Sequence, residues 1–129
     1  MYGMEVIIKG TMQEAEQKTI EALKTEGFGV LTEIDVQATL KNKINIDRAP
    51  YKILGACNPK IANDVLNIEP DVGLLLPCNV VIREVADNQI SVSLIDPEAM
   101  FTVVNNDKVK DKVSEVKAKF VRIQKLIEA

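Results

Sequence analysis

The chain has no histidine and no tryptophan, and aromatic residues make up only 4% of its 129 positions. Without histidine it lacks the commonest general base, the serine–histidine–aspartate type of triad and the usual imidazole metal sites. Any catalysis would have to run on cysteine, carboxylate, lysine or tyrosine. Only two cysteines are present, Cys57 and Cys78. No Gly-x-Gly-x-x-Gly or Gly-x4-Gly-Lys-Ser/Thr loop occurs, and Gly27-Phe28-Gly29 reads as a helix stop, not as a phosphate cradle.

An excess of basic residues is missing too. Sixteen Lys and Arg face nineteen Asp and Glu, for a net charge of −3. Phosphate contacts supply most of the affinity of nucleic-acid binders, so no nucleic-acid partner is expected. Lys108, Lys110 and Lys112 alternate with Asp111 and Glu115, as on a solvated helix face. The longest nearly apolar run, Val72 to Ile82, is roughly half the ~20 residues of a helical span and is interrupted by Pro77. No membrane partner is therefore expected. The first residues, Met1-Tyr2-Gly3-Met4-Glu5, do not have the form of a signal peptide. A cytoplasmic location is expected, where both cysteines would be reduced or redox-active and not form a structural disulfide.

What remains is aliphatic. The hydrophobic fraction is 47%, sufficient for a core and too high for a disordered chain. A single domain over residues 1–129 is expected. Met4, Val6 and Ile8 alternate with polar neighbours and predict a strand over 4–9. Thr11-Met12-Gln13-Glu14 is a capping box that opens a helix with Ala15, Ile20, Ala22 and Leu23 inside, closed by Gly27. Alternation from Phe28 through Val30, Thr32 and Ile34 to Val36 predicts a second strand. Asp35 then caps a short helix through Leu40 and Lys43.

Tyr51 to Cys57 is the third strand. Asn58-Pro59 starts a helix that ends near Asn67. A long strand is predicted from Leu74 to Val85, followed by a partner strand bearing Ile90, Val92 and Leu94. Joining them by Ala86-Asp87-Asn88, with Asn88 left-handed, pairs Ile82 with Val92 and Val80 with Leu94. Asp96-Pro97 begins a short helical turn through Met100. Val109, Val113, Val116, Phe120, Ile123 and Ile127 then recur at spacings of four and three, giving an amphipathic helix. The expected class is α+β, a mainly antiparallel sheet against two long helices, with a short helix inserted among the strands.

The same register sets Cys78 opposite Asp96, and an antiparallel 51–57 strand brings Cys57 beside Cys78. Cys57, Asn58, Cys78 and Asp96, with Met100 on the following turn, thus form the candidate site at one edge of the sheet. Free cysteine is also a common packing residue, and Asn58 and Asp96 are natural helix caps. Two sulfurs and one carboxylate fall short of a four-ligand zinc set, so no metal site is assigned.

Cys57-Asn58-Pro59 with Ala62, Leu76-Pro77-Cys78-Asn79-Val80, and Asp96-Pro97 with Met100 together resemble the signature of the bacterial and archaeal family called domain of unknown function 302. The similarity runs from the Phe28–Val36 strand through the last helix. It implies a β-α-β4-α arrangement similar to the TATA-binding-protein fold, commonly homodimeric, and mildly supports the five residues as a site. It implies no DNA binding, no established activity and no cofactor. The expected function is a non-catalytic, homodimeric domain holding a small ligand near the Cys57–Cys78–Asp96 edge. The alternative is a thiol-based redox or soft-metal-binding protein using the two cysteines.

Overall fold

A computed structural model describes all residues, Met1–Ala129. Five strands, β1 (Gly3–Lys9), β2 (Gly29–Asp35), β3 (Tyr51–Cys57), β4 (Cys78–Ala86) and β5 (Gln89–Ile95), form one sheet in the order β1-β5-β4-β3-β2. Every neighbouring pair is antiparallel. The helices are α1 (Met12–Thr25), α2 (Val36–Ile44), α3 (Pro59–Ile68), the single turn α4 (Pro97–Met100) and α5 (Asp107–Glu128). The class is α+β. No helix is long and apolar enough to cross a membrane.

Local chemistry explains most boundaries. The Thr11 hydroxyl accepts the Glu14 amide, and the Glu14 carboxylate accepts the Thr11 amide, so the capping box is complete. Gly27, at φ +82°, takes the left-handed position just past α1. Asp35 caps α2 through the Ala38 amide, and left-handed Asn45 ends it. The six apolar residues of the α5 stripe are all buried. They pack with Leu23, with Leu54 of β3, and with Val80, Ile82, Ile90, Val92 and Leu94 of the central hairpin in one hydrophobic cluster. Phe28 and Phe120 meet with ring centroids 5.1 Å apart.

Val80 pairs with Leu94 and Ile82 with Val92, as the sequence predicts. The turn is tighter than expected. Ala86 pairs with Gln89, Asp87-Asn88 form the two-residue connection, and a register shift near Val85 absorbs the extra residue. Asn88 is left-handed, at φ 56°.

Two strand expectations need correction. The strand expected from Leu74 starts only at Cys78, because Pro70–Leu75 form a 3-10 helix. Pro70 opens that helix, and neither Pro70 nor Pro77 has an amide hydrogen for a ladder. Val72 fills the core, while Leu74, expected on the inner face, is 87% exposed. In β2 the expected single face from Phe28 to Val36 is broken by a bulge between Val30 and Thr32. Phe28 is buried and Val30 packs on the core, but Thr32 and Ile34 sit opposite Gly55 and Ile53, away from it. One inserted residue reverses every later side chain in a period-two strand.

Candidate functional site

The site begins where β3 ends and β4 starts. Ala56 pairs with Cys78, so Cys57, the last residue of β3, stands next to the first turn of α3. Asn58 caps that helix: its Oδ1 accepts the Ile61 amide, and its Nδ2 donates to the Glu26 carbonyl just past α1. Gly27 makes room for this tie, since a β-carbon there would stand 3.0 Å from the Asn58 Nδ2. Asn58 thus joins the end of α1 to the start of α3 across the chain.

Cys57, Asn58 and Cys78 line a small cavity of about 40 Å³ with Ala56 and Phe28. Ile61, Ala62 and Val65 of α3 close one side, and Lys112, Val113 and Val116 of α5 the other. Leu76 and Phe101 complete it; eleven of the thirteen lining residues are hydrophobic, so the interior is an apolar slot. Its volume holds about three water-sized bodies, far below the ~300 Å³ of an ordinary drug-sized site. Lys112 spans the rim, its Nζ 3.1 Å from Asp64 of α3.

Burial pushes the Cys57 thiol up. Burial, with a contribution from Cys57, pushes Cys78 up to about 12. Both sulfurs are free and are held as neutral thiols near pH 7. A thiolate is the nucleophile and the metal-binding form, and burial in the apolar walls opposes it.

The other two sequence candidates lie outside the cavity. The β4–β5 ladder ends at Val80–Leu94, two residues short of Cys78 and Asp96, and the Asp96 amide donates to the Tyr2 carbonyl on the β1 side, 2.8 Å away. The Asp96 carboxylate caps α4 through the Glu98 amide and accepts a 2.8 Å hydrogen bond from Lys117 of α5. Partial burial acts to raise this carboxyl, but the Lys117 and backbone hydrogen bonds outweigh it and leave the group below its ordinary value. Met100 packs against the core, and Phe101 beside it is the residue that reaches the cavity. No three Cys, Asp or Glu side chains gather in a way that holds a metal ion.

Sequence reasoning did not single out Lys112, Phe101 or the α3 and α5 wall residues. Val113 and Val116 belong to a stripe that reads as core, and Lys112 to an alternation that reads as a solvated face. Nothing in the sequence marks them as neighbours of Cys57.

The family model for Domain of unknown function DUF302 matches residues 4–127. The chain belongs to this family. Its fold is similar to the crystal structure of an uncharacterized conserved DUF302 protein from Bacillus stearothermophilus. The two share 28% identity at a TM-score of 0.89, over 98% of each chain. None of the curated proteins matches this DUF302 chain. The likeness extends over the whole arrangement that builds the cavity, from β1 to α5.

Proposed function

We propose that this DUF302 chain is a non-catalytic, homodimeric binding domain that holds a small ligand between α3, α5 and the β3–β4 edge. The observation that carries the reading is the apolar cavity with Cys57 and Cys78 in its wall. A site with few polar groups and no activated nucleophile suits retention better than chemistry. The neutral state of both thiols weighs against the redox and soft-metal alternative.

The dimer draws support from the β2–α2 unit. No residue of α2 is buried, and Leu31, Ile34, Ile44 and Ile46 of this region are exposed. β2 is also an edge strand, and an unpaired edge with apolar side chains is ordinarily covered. The antiparallel sheet with α1 and α5 packed on its core supports the description similar to the TATA-binding-protein fold, which carries no DNA binding with it.

Native mass spectrometry of protein purified without reductant, followed by a denatured mass, tests the reading. The expected result is a dimer carrying extra mass that is lost on denaturation, with both thiols free. A bare protein would count against ligand retention. A denatured mass lighter by two hydrogens and restored by reductant would favour the dithiol alternative.

A further inference from the structure

The rim of the cavity restricts what can enter it. Asn58 spends its acceptor on the Ile61 amide and a donor on the Glu26 carbonyl. Lys112 is paired with Asp64, and no buried side-chain nitrogen or oxygen lacks a partner. The cavity wall is thus apolar apart from Asn58, Lys112 and the two thiols, and its amide and its ammonium are each already engaged by a partner. An anionic head would have to compete with Asp64 for the ammonium, under further negative potential from Asp111 and Glu115. A cationic head would meet the Lys112 ammonium itself. A neutral apolar group disturbs none of these pairs and replaces empty space by dispersion contacts with Val113, Val116, Phe28 and the two sulfurs.

Extending the binding proposal above, on which it rests, we infer that the cavity between α3 and α5 takes an uncharged apolar group, a short unbranched hydrocarbon chain or the edge of an aryl ring. The Lys112–Asp64 pair is the tie between the two helices across its mouth. Small size follows from the 40 Å³ interior, and neutrality follows from the apolar lining and from the engagement of Lys112 by Asp64.

An isotope-resolved NMR titration of the full chain with hexan-1-ol, hexanoate and hexylammonium tests this, read at the amides of Ala56, Val113 and Val116. Hexan-1-ol is expected to give saturable shifts at all three. The slot holds only part of a hexyl chain, so each head stays at the rim, where hexanoate meets the carboxylates of Asp64, Asp111 and Glu115 and hexylammonium meets the Lys112 ammonium. Both are expected to bind more weakly than hexan-1-ol. Ala62→Phe, which places a ring at the half-buried rim, is expected to abolish hexan-1-ol binding. Lys112→Met, which removes the rim ammonium, is expected to bring hexylammonium closer to hexan-1-ol in affinity. If hexanoate or hexylammonium binds as tightly as hexan-1-ol, neutrality is overturned while the binding site stands. If no probe gives saturable shifts in the parent chain or in Lys112→Met, the inference and the binding reading both fall. Saturable hexan-1-ol shifts that survive Ala62→Phe in a folded protein overturn the assignment to this cavity.

Discussion

Burial raises the Cys78 thiol from an ordinary value near 9.0 to about 12, with Cys57 adding to the rise. The folded state thus keeps a proton that the unfolded chain releases. For a raised pKa the associated stability is complete below pH 9.0 and is lost as pH rises toward 12. The expected slope approaches about 1.4 kcal/mol per pH unit within that window. Urea unfolding between pH 8 and pH 10.5 measures it, and the Cys78 contribution should vanish in Cys78→Ala even though that variant starts less stable. An identical slope in both proteins would mean that Cys78 ionises as freely in the fold as outside it. Asp96 shows the opposite balance. Lys117 and the α4 amides offset its partial burial, so its carboxylate is engaged in holding α4 to α5 and is unavailable to the thiols.

Among the elements, β2 and β3 owe their close approach to Gly55. A β-carbon at that position would stand 2.2 Å from the Thr32 Oγ1 and 2.7 Å from the Pro77 Cγ. Thr32 lies just past the bulge of the edge strand and Pro77 just before β4, so one glycine sits where two neighbouring segments converge. Gly55→Ala forces at least one of them to move, and overpacking of this kind costs about 1–3 kcal/mol. Thermal unfolding measures the loss. Thr32→Ser leaves the contacting hydroxyl in place, so it should rescue little. Thr32→Ala in the Gly55→Ala background removes that oxygen and should recover part of the loss. Full stability of Gly55→Ala alone would show that the edge strand adapts freely. The same strand end carries Ala56 and Cys57 to the cavity, so displacement of β3 here is also expected to weaken hexan-1-ol binding.

Across the whole molecule, the apolar side chains that remain outside the core are unevenly distributed. Leu31 is 67% exposed beside the β2 bulge, Ile44 at the end of α2 is 58% exposed, and Ile46 just past it 49%. A helix with no buried residue contributes little to the fold by itself. A second copy covering this unit would account for its composition. Leu31→Lys is therefore expected to shift the protein toward monomer by at least about tenfold in the dissociation constant, since a buried charge without a partner opposes association. Sedimentation velocity over a concentration series measures it. A parent chain that is monomeric at every concentration would overturn the dimer. The cavity lies at the α3–α5 side, formed by other elements, so the folded Leu31→Lys chain should retain hexan-1-ol binding.

Strong local signals settled much of the architecture before any contact was known. Thr11, Asp35, Asn58 and Asp96 each cap a helix through an amide within three residues, so those capping bonds are written in adjacent sequence. The α5 stripe and the Val80–Leu94 and Ile82–Val92 register follow from periodicity and turn chemistry, which are also local. The β2 bulge was not legible, because Phe28 through Val36 keep the same alternation whether or not Leu31 is inserted into the ladder. Neither was the late start of β4, where apolar Leu74 and Leu75 read as strand. That β3 ends and β4 begins at the same end of the sheet, where Cys57 and Cys78 both line the cavity, followed from strand direction, while the destination of Asp96 did not. Its partner Lys117 lies 21 residues away on a helix whose rotation depends on how all six apolar residues of the α5 stripe seat in the core. The cavity is likewise a tertiary product: Val113, Val116 and Lys112 line it together with Cys78 only because α5 packs beside α3, and side-chain pattern along one helix carries no record of which helix it will flank.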